Sequence, residues 1–139
     1  MFKNILLGVD GSEHALNAAK LAGDLARLTG ADLWVIVCFE PVPAYIGVPF
    51  YQQMLTKNLE KADQILIPAL EAVGPIQGSI NTEKLEGETA EAILNVSKIQ
   101  DIDLIVMGTR GLGSFASMMI GSKSQKVVAN ASCPVLLVR

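Results

Sequence analysis

The chain is poor in reactive side chains. His14 is its single histidine, so neither a His-based triad nor a histidine-rich zinc site has a second member. Cys38 and Cys133 lie far apart and match no metal-binding spacing, which leaves them as two reduced core thiols. Aromatic residues are 5% of the sequence against 50% apolar, so the core must be aliphatic. With a net charge of -3 there is no basic excess, and nucleic acid is not an expected partner. The longest apolar run, Leu33–Phe39, is far below the roughly 20 residues that span a bilayer. Ile5–Val9 is too short for the apolar region of a cleavable signal. These absences imply a single cytoplasmic domain over residues 1–139, with no membrane span.

What is present is a regular alternation of apolar runs and amphipathic stretches. Ile5–Val9, Leu33–Phe39 and Leu104–Met107 are continuously apolar, as strands buried on both faces of a parallel sheet would be. Between them, apolar residues recur at helical spacing from Ala15 to Leu28 and from about Phe50 to Val73. The helix ends are marked by Asp10 or Ser12 at the first start, Thr29-Gly30 at its stop, and Gly74-Pro75 after the second. Pro68 inside the second helix predicts a kink or an early break. Glu40–Pro49, with three prolines, predicts a loop, and the polar Gln77–Leu85 predicts an edge strand. Ala90–Ile99, Ser122–Ala131 and Pro134–Val138 complete five strands and four helices, an α/β pattern expected to form a three-layer, open, doubly wound sheet.

The stretch richest in chemistry is Gly108–Ser124, a strand end that passes through Gly108, Gly111, Gly113 and Gly121 into a helix. Glycines let a backbone approach an anion, and a helix start offers unpaired N–H groups at the positive end of its dipole. In an open parallel sheet, ligands sit beyond the carboxyl ends of the strands, where the winding reverses.

The spacing Gly108-x2-Gly111-x9-Gly121-Ser122 resembles the ATP-binding signature of the universal stress protein family. The opening Lys3–Ser12 and the closing Ser132–Arg139 also resemble that family's ends. The resemblance implies a five-stranded parallel sheet of order 3-2-1-4-5, of the adenine nucleotide alpha-hydrolase-like type. That order places Asp10 beside Gly108 at the reversal. The phosphates are then expected on the backbone N–H groups of Gly121, Ser122, Lys123 and Ser124, with hydroxyls of Ser122 and Ser124 adding bonds. Gly108, Gly111 and Arg110 would pass close to ribose and phosphates, and Val9 and Met107 would line the site. Asp10 would take a ribose hydroxyl or a Mg or Mn ion held by ATP. The family's adenine contacts come from backbone groups near the end of strand two, a position that Cys38 matches. Lys123 departs from the family, where a small apolar residue is usual; it is either an extra phosphate contact or a solvated side chain.

Other matches fail. Gly111–Ala116 fits G-x-G-x-x-A but follows its strand late and lacks an acid about twenty residues on, and Gly121–Ser124 lacks the glycine-lysine-serine order of a P-loop. Tyr45, Phe50 and Tyr51 could cover an adenine, although packing against the second helix or another subunit is the commoner use. His14 reads as a helix-start residue close to Asp10. The resemblance implies an ATP-binding stress-response regulator that acts through an unknown protein partner and forms a homodimer along Pro134–Val138. A nucleotide-free module of the same family and a slow ATPase are the alternatives. No catalytic residue is identified.

Overall fold

The fold is described by a computed structural model, for residues 1–109 and 120–139. The chain runs β1 (Asn4–Gly8), α1 (Glu13–Thr29), β2 (Asp32–Phe39), a short 3-10 turn (Ala44–Ile46), α2 (Val48–Val73), β3 (Ile80–Glu86), α3 (Thr89–Ile99), β4 (Leu104–Gly108), α4 (Ser122–Asn130) and β5 (Val135–Val138). All neighbouring strands pair in parallel, in the order β3-β2-β1-β4-β5. The order expected from the family resemblance is therefore the order found.

The uninterrupted apolar strands are explained by two cores, one on each face. Along β1, Ile5 and Leu7 enter a cluster with α1 and α2, while Leu6 enters a second cluster with α3 and α4. β4 divides likewise, with Leu104 and Val106 on one side and Ile105 and Met107 on the other. With both faces covered, polar chemistry is confined to the ends and edges of the sheet. β3 is an edge, as its polarity predicts, and its residues alternate between exposed and half-buried.

Two details depart from the sequence reading. α2 runs unbroken through Pro68, so no early break occurs. Pro68 is solvent-exposed, and water there can satisfy the carbonyl one turn earlier that a proline cannot serve. Within the loop after β2, Ala44–Ile46 forms a 3-10 turn, and α2 begins at Val48 with Pro49 in its first turn.

α1 and α2 meet so closely that only glycine fits at one position. A Cβ at Gly23 would stand 2.2 Å from the carbonyl oxygen of Val73, a main-chain atom that cannot swing away. Gly23→Ala is expected to destabilise the fold by about 1–3 kcal/mol. The check is the urea midpoint, which should fall with little change in slope; an unaltered midpoint would show that the helices are not so closely held.

Candidate functional site

A cleft of about 280 Å³ opens at the carboxyl edge of the sheet, where β1 and β4 lie side by side and their helices leave in different directions. This is the reversal point that the topology predicts.

The first wall is the turn from β1 into α1. Ser12 caps α1, its Oγ accepting from the Ala15 N–H at 3.2 Å. Asp10 Oδ1 in turn accepts from the Ser12 N–H at 3.0 Å. That bond fixes the carboxylate at the cleft, and its second oxygen has no partner among the described residues. Val9, buried on the sheet, and Met107, at the end of β4, form part of the floor.

The second wall is the end of β4. Gly108 packs against the first turn of α1: a Cβ there would lie 2.9 Å from His14 Cβ and 3.0 Å from its backbone carbon. Thr109 is held from three directions. Its N–H donates to Val138 O at 2.8 Å, its carbonyl accepts from the Gly121 N–H at 2.7 Å, and its Oγ1 shares a 2.8 Å hydrogen bond with His14 Nδ1. His14 is thus tied to the strand end rather than merely exposed at a helix start. Arg110, Gly111 and the rest of the rejected dinucleotide pattern lie outside the described residues.

The third wall is the start of α4. Gly121 stands at the cap position, and its carbonyl accepts the first helical bond, from the Gln125 N–H at 3.0 Å. The N–H groups of Ser122, Lys123 and Ser124 have no acceptor among the described residues. Ser124 is buried, and its Oγ donates to Gly108 O at 2.8 Å. Two groups expected at the phosphates are thereby committed within the protein: the Gly121 amide binds Thr109, and the Ser124 hydroxyl binds Gly108. What faces the cleft is three amides and the exposed Ser122, with Lys123 at the rim.

Cys38 lies across the cleft near the end of β2. Leu33 donates to Ser79 O and Gly87 donates to Phe39 O, whereas Ile36 O accepts from Val9, so odd residues of β2 bond toward β3 and even residues toward β1. Cys38 therefore turns its N–H and carbonyl toward β1, beyond that strand's last residue, Gly8. Burial pushes the Cys38 thiol above the ordinary thiol range, and neither its hydrogen bond with the Thr89 side chain nor the charge of Lys123 fully offsets this.

Ile65 of α2 and Thr89 and Ile93 of α3 also line the cleft and were not anticipated. Thr89 was findable, since every strand-to-helix turn of such a sheet opens on this edge. Ile65 was legible as an inward position of α2, but not as a cleft residue. Glu88 caps α3 by accepting from the Glu91 and Ala90 N–H groups, at 2.9 and 3.0 Å. The Glu91 bond first, then the Ala90 bond and Lys126, hold its carboxyl below the usual glutamate range. Tyr45 and Phe50 are exposed, at 89% and 63%, and neither they nor Tyr51 lines the cleft. No group of three or more metal-ligating side chains occurs among the described residues. A divalent ion beside Asp10 would need ligand phosphates and water for the rest of its shell.

A parallel doubly wound sheet with a cleft at its reversal point places this chain among the open-sheet α/β proteins. The universal stress protein family model matches residues 1–139, and the chain belongs to that family. It is 49% identical over 140 residues to a universal stress protein of Thermus aquaticus, covering 100% of both chains. The structure of universal stress protein UspA from Lactobacillus plantarum has 27% identity and a TM-score of 0.84, over 99% of this chain and 98% of that one. A universal stress protein from Archaeoglobus fulgidus in complex with dAMP has 18% identity and a TM-score of 0.72, over 100% and 98%.

Ser124→Ala tests the clamp between β4 and α4. Leaving the Gly108 carbonyl without its partner is expected to cost about 1–3 kcal/mol, read as a lower urea midpoint. Unchanged stability would mean that the α4 start is held by other contacts.

Proposed function

We propose that the cleft binds an adenine nucleotide, ATP with Mg or Mn in the first instance, and that the protein is a nucleotide-dependent stress-response module acting through a partner. The observation that carries this reading is the set of three amides at the start of α4 that have no acceptor among the described residues, opposite the outward-turned backbone of Cys38. The amides suit phosphate. The Cys38 N–H and carbonyl suit the edge of an adenine, which offers a donor and an acceptor side by side. Asp10 follows β1, which lies between β2 and β4, and is suited to a ribose hydroxyl or to a metal held by the phosphates. The likeness to a fold that holds dAMP in another member supports an adenine ligand. The helix dipole contributes about 0.3–1 kcal/mol toward an anion, so most of the affinity must come from the N–H bonds themselves. Arg110 and Gly111 belong to the proposed site by the glycine spacing.

Gly121→Asp separates ligand binding from folding. An aspartate at this cap position accepts from the N–H groups of the first turn and should keep or raise the stability of α4. The same carboxylate would occupy the phosphate's place. Mass spectrometry of denatured wild-type protein, or calorimetry with ATP and magnesium, is expected to reveal bound adenine nucleotide that the variant lacks at equal or higher Tm. If wild-type protein neither retains nor binds nucleotide at millimolar ATP, the nucleotide-free module is the correct reading.

We also propose a homodimer along β5. It is the second edge of the sheet, and its four apolar residues are all half-buried. Sedimentation at micromolar concentration should give twice the chain mass of 14.8 kDa; monomer alone would refute the pairing.

A further inference from the structure

α2 extends past the sheet that it covers. Its four buried residues, Ala62, Leu66, Ala69 and Val73, all lie in its second half. Ile65 already packs beside Gly11, beyond the end of β1, so Val48–Lys61 project past the carboxyl edge as roughly 20 Å of helix. Two tethers hold this end in place. The buried Val42 donates its N–H to Glu86 Oε1 at 3.2 Å, and Asn58 Nδ2 donates to Glu40 O at 3.5 Å. Around the start of the helix Tyr45, Val48, Phe50 and Met54 are all exposed. No charged residue occurs between Glu40 and Lys57, although 18% of the chain is charged, so the gap is particular to this end of the molecule.

The missing charge narrows what covers this surface. Across a two-fold axis a residue meets its own copy, so a charge near the axis opposes itself, and an uncharged apolar surface avoids that cost. A different protein would be steered by complementary charge, and an anionic membrane by basic residues along the helix; the tip offers neither before Lys57. The exposed apolar side chains present on the order of 400 Å², and the exposed Pro49, Gln52, Gln53 and Thr56 around them bring the surface near the about 800 Å² per partner of a standard interface. We propose that two copies of this chain pair through the projecting half of α2, with Phe50 and Met54 at the centre of the contact. This association is separate from the one along β5: α2 packs over β2 and β3, and β1 and β4 lie between those strands and β5. A contact made mainly by one helix surface of this size is weak, and it forms at higher concentration than the pairing of strand edges.

Sedimentation of the full chain from about 10 to 500 μM tests this, using the wild type, Phe50→Glu/Met54→Glu and Phe50→Leu/Met54→Leu. Glutamate near the start of α2 suits the helix dipole, and neither position lines the cleft, so Tm and ligand binding should stay as they are. The wild type and the leucine variant are expected to double their mass as concentration rises, whether from two chains to four or from one to two. The glutamate variant should keep its low-concentration mass throughout. In the wild type, amide NMR signals between Tyr45 and Leu59 should broaden over the same range, a reading that needs no variant. Equal masses for the wild type and the glutamate variant at every concentration would overturn the inference, and so would broadening confined to other segments. If in that case phosphatidylglycerol vesicles bind the wild type and not the glutamate variant, the surface belongs to a membrane and not to a second copy.

Discussion

The arrangement depends on how the start of α4 is fastened to the end of β4. Two short hydrogen bonds do this, from Ser124 Oγ to Gly108 O and from the Gly121 N–H to Thr109 O. The second joins residues on either side of the glycine-rich segment, so Thr109 and Gly121 are held together whatever passes between them. With those groups committed, the next three amides have no acceptor among the described residues. A donor array fixed beforehand needs no reordering when an anion arrives, which is the main advantage of main-chain over side-chain recognition.

The rest of the fold holds this fastening in place. Gly108 can sit against α1 only because it has no side chain, and Thr109 is tied to α1 through His14 and to β5 through Val138. The amide cradle, the Asp10 turn and the far strand edge thus share one anchor. Because helices cover both faces of the sheet, the carboxyl edge is where buried main-chain groups and solvent meet.

Much of this was legible from the residues. Continuous apolar runs at Ile5–Val9 and Leu104–Met107 announced strands covered on both sides, and the polarity of β3 announced an edge. The glycine spacing around Gly108 and Gly121 pointed to the end of the sheet where the cleft opens. The commitments of individual polar groups were not legible, because a hydroxyl at Ser124 can face a ligand or a carbonyl with equal ease. Only the packing of α4 on β4 decides that it faces Gly108. The same holds for Pro68, whose effect on α2 depends on which side of the helix meets water, and for Ile65, whose place in the cleft depends on how far α2 reaches.

The central claim concerns three particular amides, and NMR can observe them individually. On titrating isotopically labelled protein with AMP or ATP, the amide signals of Ser122, Lys123 and Ser124 should move together, with a shared saturating dependence, while the Gly121 amide, bound to Thr109, moves less. If nucleotide binds and these three signals remain in place, the cradle at the start of α4 is not what holds it.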